Sequence, residues 1–171
     1  MTDTTKDVAA WTELLGLLPH PEGGYFREIY RSTKPIPQSA LPKCYDGDRN
    51  YGTSIYYLLN GEDFSAFHKL HSDEIWHFYE GSAVIIYLLA SDGTMTELRL
   101  GRDVFSGERP QIVLPQDTWF AAEVIDKSSF AVMGCTVSPG FSFSDFVIGK
   151  RVDLTTQFPD YAPLIQRLSR G

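Results

Sequence analysis

Gly61-Glu62-Asp63-Phe64-Ser65-Ala66-Phe67-His68-Lys69-Leu70-His71-Ser72-Asp73-Glu74-Ile75-Trp76-His77-Phe78-Tyr79-Glu80-Gly81 is the most informative stretch of the chain. It holds three of the four histidines, beside the acidic pair Asp73-Glu74 and between two turn glycines. Around it, from Thr53 onward, runs rich in Ile, Val, Tyr, Phe and Trp are broken by Asn60-Gly61, Glu80-Gly81, Asp92-Gly93, Ser106-Gly107, Pro115-Gln116-Asp117 and Pro139-Gly140. Asn-Gly and Asp-Gly between apolar runs are strong hairpin signals, because the tight turns between strands need residues that accept positive φ. Short, regularly spaced strands of this kind predict an all-β sandwich or barrel.

The ends read differently. Val8, Trp11, Leu14, Leu15 and Leu18 recur at helical spacing before Pro19, which predicts a helix over residues 6–18. Leu164, Ile165 and Leu168 give a second short helix over 159–169 an apolar face. Between them a barrel is expected over residues 23–150, the whole chain forming one domain, 1–171. The Gly23-Gly24 turn leads into Tyr25 to Arg31, and Pro35, Pro37 and Pro42 make 35–51 an irregular loop long enough to act as a lid or a dimer arm.

At 171 residues, 43% hydrophobic and 13% aromatic, the chain can bury one substantial core. A net charge of −7 argues against a nucleic-acid partner. No apolar run reaches the ~20 residues that span a bilayer, so no membrane partner is expected, and Met1 to Asp7 lacks the apolar core of a signal peptide. Cys44 and Cys135 are too few for a disulfide framework, which points to buried structural thiols in a reducing, cytoplasmic setting. Sheet edges need covering, so a two-fold homodimer is expected.

A histidine beside a carboxylate can bind a divalent metal, or the carboxylate can orient a histidine acting as general base. The metal reading uses His68, Glu74 and His77, or His71 in place of His77. Strand parity opposes it, since Glu74 and His77 are three residues apart and share a face only across a bulge. The metal-free reading takes His68 or His77 as base, Glu74 as orienter and a tyrosine, Tyr79 among several, as acid. Arg27 could hold an anionic ligand or pair with Glu22 or Glu28 at the surface. Tyr25 and Tyr56 are further candidates for the ligand wall, and Trp76 and Trp119 could stack on a ring or fill the core. His20, between Pro19 and Pro21, reads as structural, and His71 as an exposed turn residue. Phe141 to Asp145 alternate apolar and polar, as a strand with one wet face does.

The central stretch resembles the first signature of the cupin superfamily: a glycine, an HxH pair, a glutamate and a closing glycine. Glu74 to Gly81 has the family spacing and His68 stands for the first histidine, with Leu70 in place of the second. Pro115-Gln116-Asp117-Thr118-Trp119-Phe120 resembles the second signature, with Asp117 for its glycine and Phe120 for its last metal-binding histidine. His20-Pro21-Glu22-Gly23-Gly24-Tyr25-Phe26-Arg27-Glu28, Thr53 to Leu59, Asp73 to Tyr79 and Gly134 to Phe141 look like the cupin 5 branch. The resemblance implies a jelly-roll barrel, or double-stranded β-helix, with an unassigned pocket and a likeness to dTDP-sugar epimerases and seed-storage cupins. It leaves three readings: an epimerase- or isomerase-like enzyme on a sugar derivative, a non-catalytic module that binds a small ligand, and a metal-dependent cupin with a reduced ligand set. Phe120 then belongs to the ligand wall.

Overall fold

The computed structural model describes residues 7–170; residue 6, where the first helix was expected to start, lies outside them. The strands follow in chain order: β1 (Leu18–Pro19), β2 (Tyr25–Arg31), β3 (Pro35–Ile36), β4 (Arg49–Asn50), β5 (Thr53–Asn60), β6 (Phe64–Leu70), β7 (Asp73–Gly81), β8 (Val84–Leu89), β9 (Met95–Leu100), β10 (Gln111–Leu114), β11 (Trp119–Val124), β12 (Phe130–Ser138) and β13 (Phe146–Ile148). The larger sheet has the order β1-β2-β5-β12-β7-β10, and the smaller one β13-β6-β11-β8-β9. Paired strands run antiparallel in both. This is the all-β barrel that the turn pattern predicts, in the jelly-roll form that the resemblance implies.

Three apolar layers stack through the molecule. Tyr57, Leu59, Trp76, Ile86, Leu114, Phe120 and Met133 fill the space between the sheets. Burying each such side chain contributes about 1.5–3 kcal/mol. On the outer face of the larger sheet, helix α1 (Val8–Leu15) lays Trp11 and Leu15 over Leu58 and Val132. On the outer face of the smaller sheet, α2 (Arg151–Gln157) and α3 (Ala162–Arg167) bring Leu154 and Ile165 onto Phe67, Leu89 and Ala121.

The helices differ from the sequence reading. Asp7 caps α1 by accepting from the Ala10 amide, and Gly16, in the left-handed conformation, ends it before Pro19 is reached. Leu18 therefore enters β1, and Leu14 is exposed. The C-terminal helix begins at Ala162, after a 3-10 turn at Pro159–Tyr161, and α2 precedes it without having been expected.

Asp92-Gly93 turns the β8–β9 hairpin as expected, with Gly93 at φ 88°. Asn60-Gly61 does not make a hairpin: Asn60 ends β5, the chain crosses there to β6 in the other sheet, and Gly61 serves a close pass instead, a Cβ on it lying 2.5 Å from the Lys127 carbonyl oxygen. Asp117 adopts φ 56°, the left-handed conformation for which the family signature has glycine; its side chain meets His71 Nδ1 at 2.7 Å. Asp is among the few residues with side chains that visit this region. The proline-rich loop is tied down rather than free: β3 pairs with β4, and the Tyr45 hydroxyl donates to the His71 carbonyl. Phe143–Asp145 is a 3-10 turn, not a strand, because Asp145 turns inward to a buried ion pair with Arg49. Of the two free cysteines Cys135 is buried and Cys44 exposed, so only the first fits the structural reading.

Candidate functional site

Between the sheets lies a cavity of about 440 Å³. Its floor is built by a segment that precedes β2. Gly23 and Gly24 take positive φ, 123° and 68°, and a Cβ on Gly23 would lie 2.1 Å from the Phe64 carbonyl oxygen. Only glycine permits so close a pass between backbones. The passage carries His20 and Glu22 into the barrel beside His68 on β6 and Glu74 on β7, all four lining the cavity.

The four are bonded as follows. His68 Nδ1 is 2.7 Å from the Ala66 carbonyl oxygen. A carbonyl only accepts, so Nδ1 carries a hydrogen. His68 Nε2 then faces Glu22 Oε2 at 3.2 Å, an approach of two lone pairs unless one proton lies between them. Glu22 Oε1 accepts from the Ser65 hydroxyl at 2.8 Å. His20 Nδ1 stands 3.4 Å from Glu22 Oε2, and desolvation holds this imidazole below its ordinary pKa, toward the neutral form. Glu74 is pushed up to about 8, first by burial and next by the charge of Glu22, against the opposing influence of Trp76 and Cys135. It is a carboxylic acid at neutral pH. The Trp76 indole N–H is buried without a hydrogen-bond partner beside it.

Aromatic rings close the walls and mouth. Phe26 meets His20 edge-on at 4.7 Å between centroids, and Phe141, Phe143 and Phe146 pack on one another at 5.0–6.1 Å. Tyr57 also lines the cavity, with its hydroxyl donating to the Gly23 carbonyl at 2.9 Å. Two arginines stand at the rim, each already engaged. Arg31 donates Nε and Nη2 to the two oxygens of Glu28, and Nη1 to Asn50 Oδ1. Arg49 donates Nε and Nη2 to the two oxygens of Asp145, each at 2.6 Å, and further bonds reach Asp46, Ser144 and the Gly47 and Asp48 carbonyls.

Of the residues expected at the site, His68 and Glu74 line the cavity together. Phe120 backs it, its ring 4.1 Å from that of His68 and opposite it in register. Trp76 is buried in the core beside Glu74. The others lie elsewhere. His77 faces out of the larger sheet, Nε2 3.4 Å from Thr136 Oγ1. The bulge that would have turned it inward lies beyond it, where β12 shifts register between Phe78 and Glu80, and Tyr79 there is half exposed against Tyr56. Tyr25 and Tyr56 pack in the layer under α1, and Arg27 donates to the Leu15 carbonyl at 3.0 Å. Trp119 packs toward the C-terminal helices under the ammonium of Lys69. His20 and Glu22 were missed; the signal was two titratable groups two residues apart, before a Gly-Gly turn.

Over residues 9–149 the chain matches the family described as Cupin superfamily (DUF985). It is a cupin of this family, one whose function is unknown. It is 31% identical over 149 residues to the uncharacterized protein YML079W of Saccharomyces cerevisiae, covering 80% of this chain and 72% of the yeast one. Among solved structures, protein SO0799 of Shewanella oneidensis superposes with a TM-score of 0.87 at 34% identity, covering 96% and 98% of the two chains. A hypothetical protein from Leishmania major gives 0.87 at 26%, covering 97% and 100%. Oxalate decarboxylase of Bacillus subtilis is similar in fold alone, with a TM-score of 0.53 at 14% identity over 88% of this chain and 36% of its own.

A metal is implied by the wider cupin fold, and this cupin's residues do not fit one. Leu70, in place of a histidine, lines the cavity, Phe120 backs it, and His77 is on the far side of the sheet. Among the described residues no three His, Cys, Asp or Glu side chains are grouped to hold an ion.

Proposed function

We propose that this cupin is an isomerase- or epimerase-type enzyme that moves a proton on a small polar molecule bound in the barrel. One observation carries the reading: His68, Glu22 and Glu74, 1%, 5% and 7% exposed, converge on one cavity of ligand size. Ionisable groups are costly to bury, and carboxyls driven apart in protonation mark acid–base sites.

The roles follow from the proton positions. His68, its Nδ1–H held by the Ala66 carbonyl, presents Nε2 to Glu22 at 3.2 Å, and Nε2 is the base that takes a proton from the ligand. Glu74 holds a proton at neutral pH and can give it. Glu22 thus takes the orienting role first assigned to Glu74, and Glu74 the acid role first assigned to a tyrosine. Tyr57 is the tyrosine at the cavity, and its hydroxyl is already committed to Gly23.

The test is solvent exchange. Purified protein in D₂O is incubated with a panel of aldoses, ketoses and sugar derivatives, and deuterium incorporation at carbon is followed by NMR. Exchange should occur, and should be lost in both His68→Ala and Glu74→Gln while circular dichroism shows an intact fold. Exchange that survives in both variants, or a bound ligand that never exchanges, would overturn the enzyme reading, the latter in favour of a binding module.

We further propose a homodimer in a reducing compartment. The edge strand β10 leaves Val113 exposed, β2 leaves Ile29 and Tyr30 exposed, and Cys44 is a free, exposed thiol. Light scattering on the purified chain tests the dimer. Among the described residues no helix is long and apolar enough to cross a membrane.

A further inference from the structure

We infer that the ligand is an uncharged, hydroxyl-bearing ring such as a free sugar or sugar lactone, rather than a phosphorylated, nucleotide-linked or carboxylated one. The inference rests on the reading of the cavity as the substrate site and names the class of molecule it takes.

An anionic ligand needs a donor with spare charge, most often an arginine fork. Both arginines at the rim face carboxylates of their own: Arg31 is matched to Glu28, and Arg49 to Asp145 with Asp46 beside it. Arg27 lies outside the cavity, on the Leu15 carbonyl. His20 is held toward its neutral form, and His68 already faces Glu22 at 3.2 Å. The remaining charged groups that line the cavity are Glu22, Glu28 and Asp48. A phosphate or carboxylate entering here would lose its hydration and meet no uncommitted cation.

The same surroundings suit a neutral ring. Carboxylates and the Glu74 carboxyl accept and donate hydrogen bonds to hydroxyl groups. Phe26, Phe141, Phe143 and Phe146 offer ring faces to the apolar C–H face of a sugar. Phe143 is 55% exposed while lining the cavity, an apolar ring held at the mouth, where it can cover an incoming ring.

The experiment is ligand-observed NMR on the intact protein with matched probes. These are D-glucose, D-galactose, D-mannose, L-rhamnose and the derived 1,5-lactones; the corresponding 1- and 6-phosphates and uronates; and glucosamine and galactosamine. At least one neutral member should bind saturably, at least about tenfold more tightly than its phosphate or uronate, which corresponds to about 1.4 kcal/mol. Its affinity should be the same in low and high salt, because no ion pair is formed, and Phe143→Ala, at an exposed position that tolerates truncation, should weaken it. A phosphate or uronate that binds as well as its neutral partner overturns the inference. An amino sugar that binds more tightly, or a neutral panel with no binding member, overturns it equally. Exchange of deuterium into a phosphorylated sugar would sink this inference and spare the enzyme reading, whereas a neutral sugar that binds without exchange would do the reverse.

Discussion

Glu74 should make the fold less stable as the pH rises, and replacing it with glutamine should remove that dependence. In the fold its carboxyl holds its proton to about 8, against 4.5 in an exposed chain. Between those values the folded protein carries a proton that the unfolded protein has released. Raising the pH therefore favours unfolding: the stabilisation is complete below pH 4.5 and is lost as the pH climbs to about 8. Across pH 5 to 8 the loss integrates to about 3.5 kcal/mol, a large share of a domain's total stability. The assay is urea unfolding of the wild type and Glu74→Gln at pH 5, 6, 7 and 8, followed by tryptophan fluorescence. Groups away from the cavity titrate alike in both proteins and cancel in the difference. The wild type should lose ground steadily to the variant, and a difference that stays flat over this range would refute the burial argument.

Other outcomes follow from the surroundings of the site. Trp76→Phe removes the indole N–H beside Glu74, whose dipole opposes the effect of burial; the Glu74 titration, read by ¹³C NMR of its carboxyl, should move up. Arg49→Met strands the buried Asp145 carboxylate and should cost about 3–5 kcal/mol in urea unfolding, most of it regained when Asp145→Leu is added. Asp117→Ala places a side chain without local hydrogen bonding at φ 56° and should lower stability by about 1 kcal/mol relative to Asp117→Gly in thermal melts.

The barrel was legible because its turns are chemically marked: Asp92-Gly93 stands at a hairpin and Asn60-Gly61 where the chain crosses between the sheets, with apolar runs between them. His68 and Glu74 were legible from the same local pattern, since each lies on the inward face of its own strand. What could not be read was contact across the chain. Glu22 meets Ser65 over 43 residues and Arg49 meets Asp145 over 96, and nothing local distinguishes either from a surface charge. Bulge position is equally hidden. One extra residue between Phe78 and Glu80 decides what becomes of Tyr79, and it comes too late in β7 to bring His77 inside.

The two buried carboxyls are coupled through the cavity, and that coupling explains how one small site can hold an acid and a base together. Glu22 meets the His68 imidazole at 3.2 Å and accepts from the Ser65 hydroxyl at 2.8 Å. Its charge in turn raises Glu74, which burial has already pushed up. Two carboxyls in one dry cavity cannot both ionise cheaply, and Glu74, raised by burial and by Glu22, is the one that keeps its proton. The Gly23-Gly24 turn is what brings the first carboxyl close enough for this division. Without that turn, Glu74 would be a single buried acid, and what raises its pKa would shrink to the effect of burial alone.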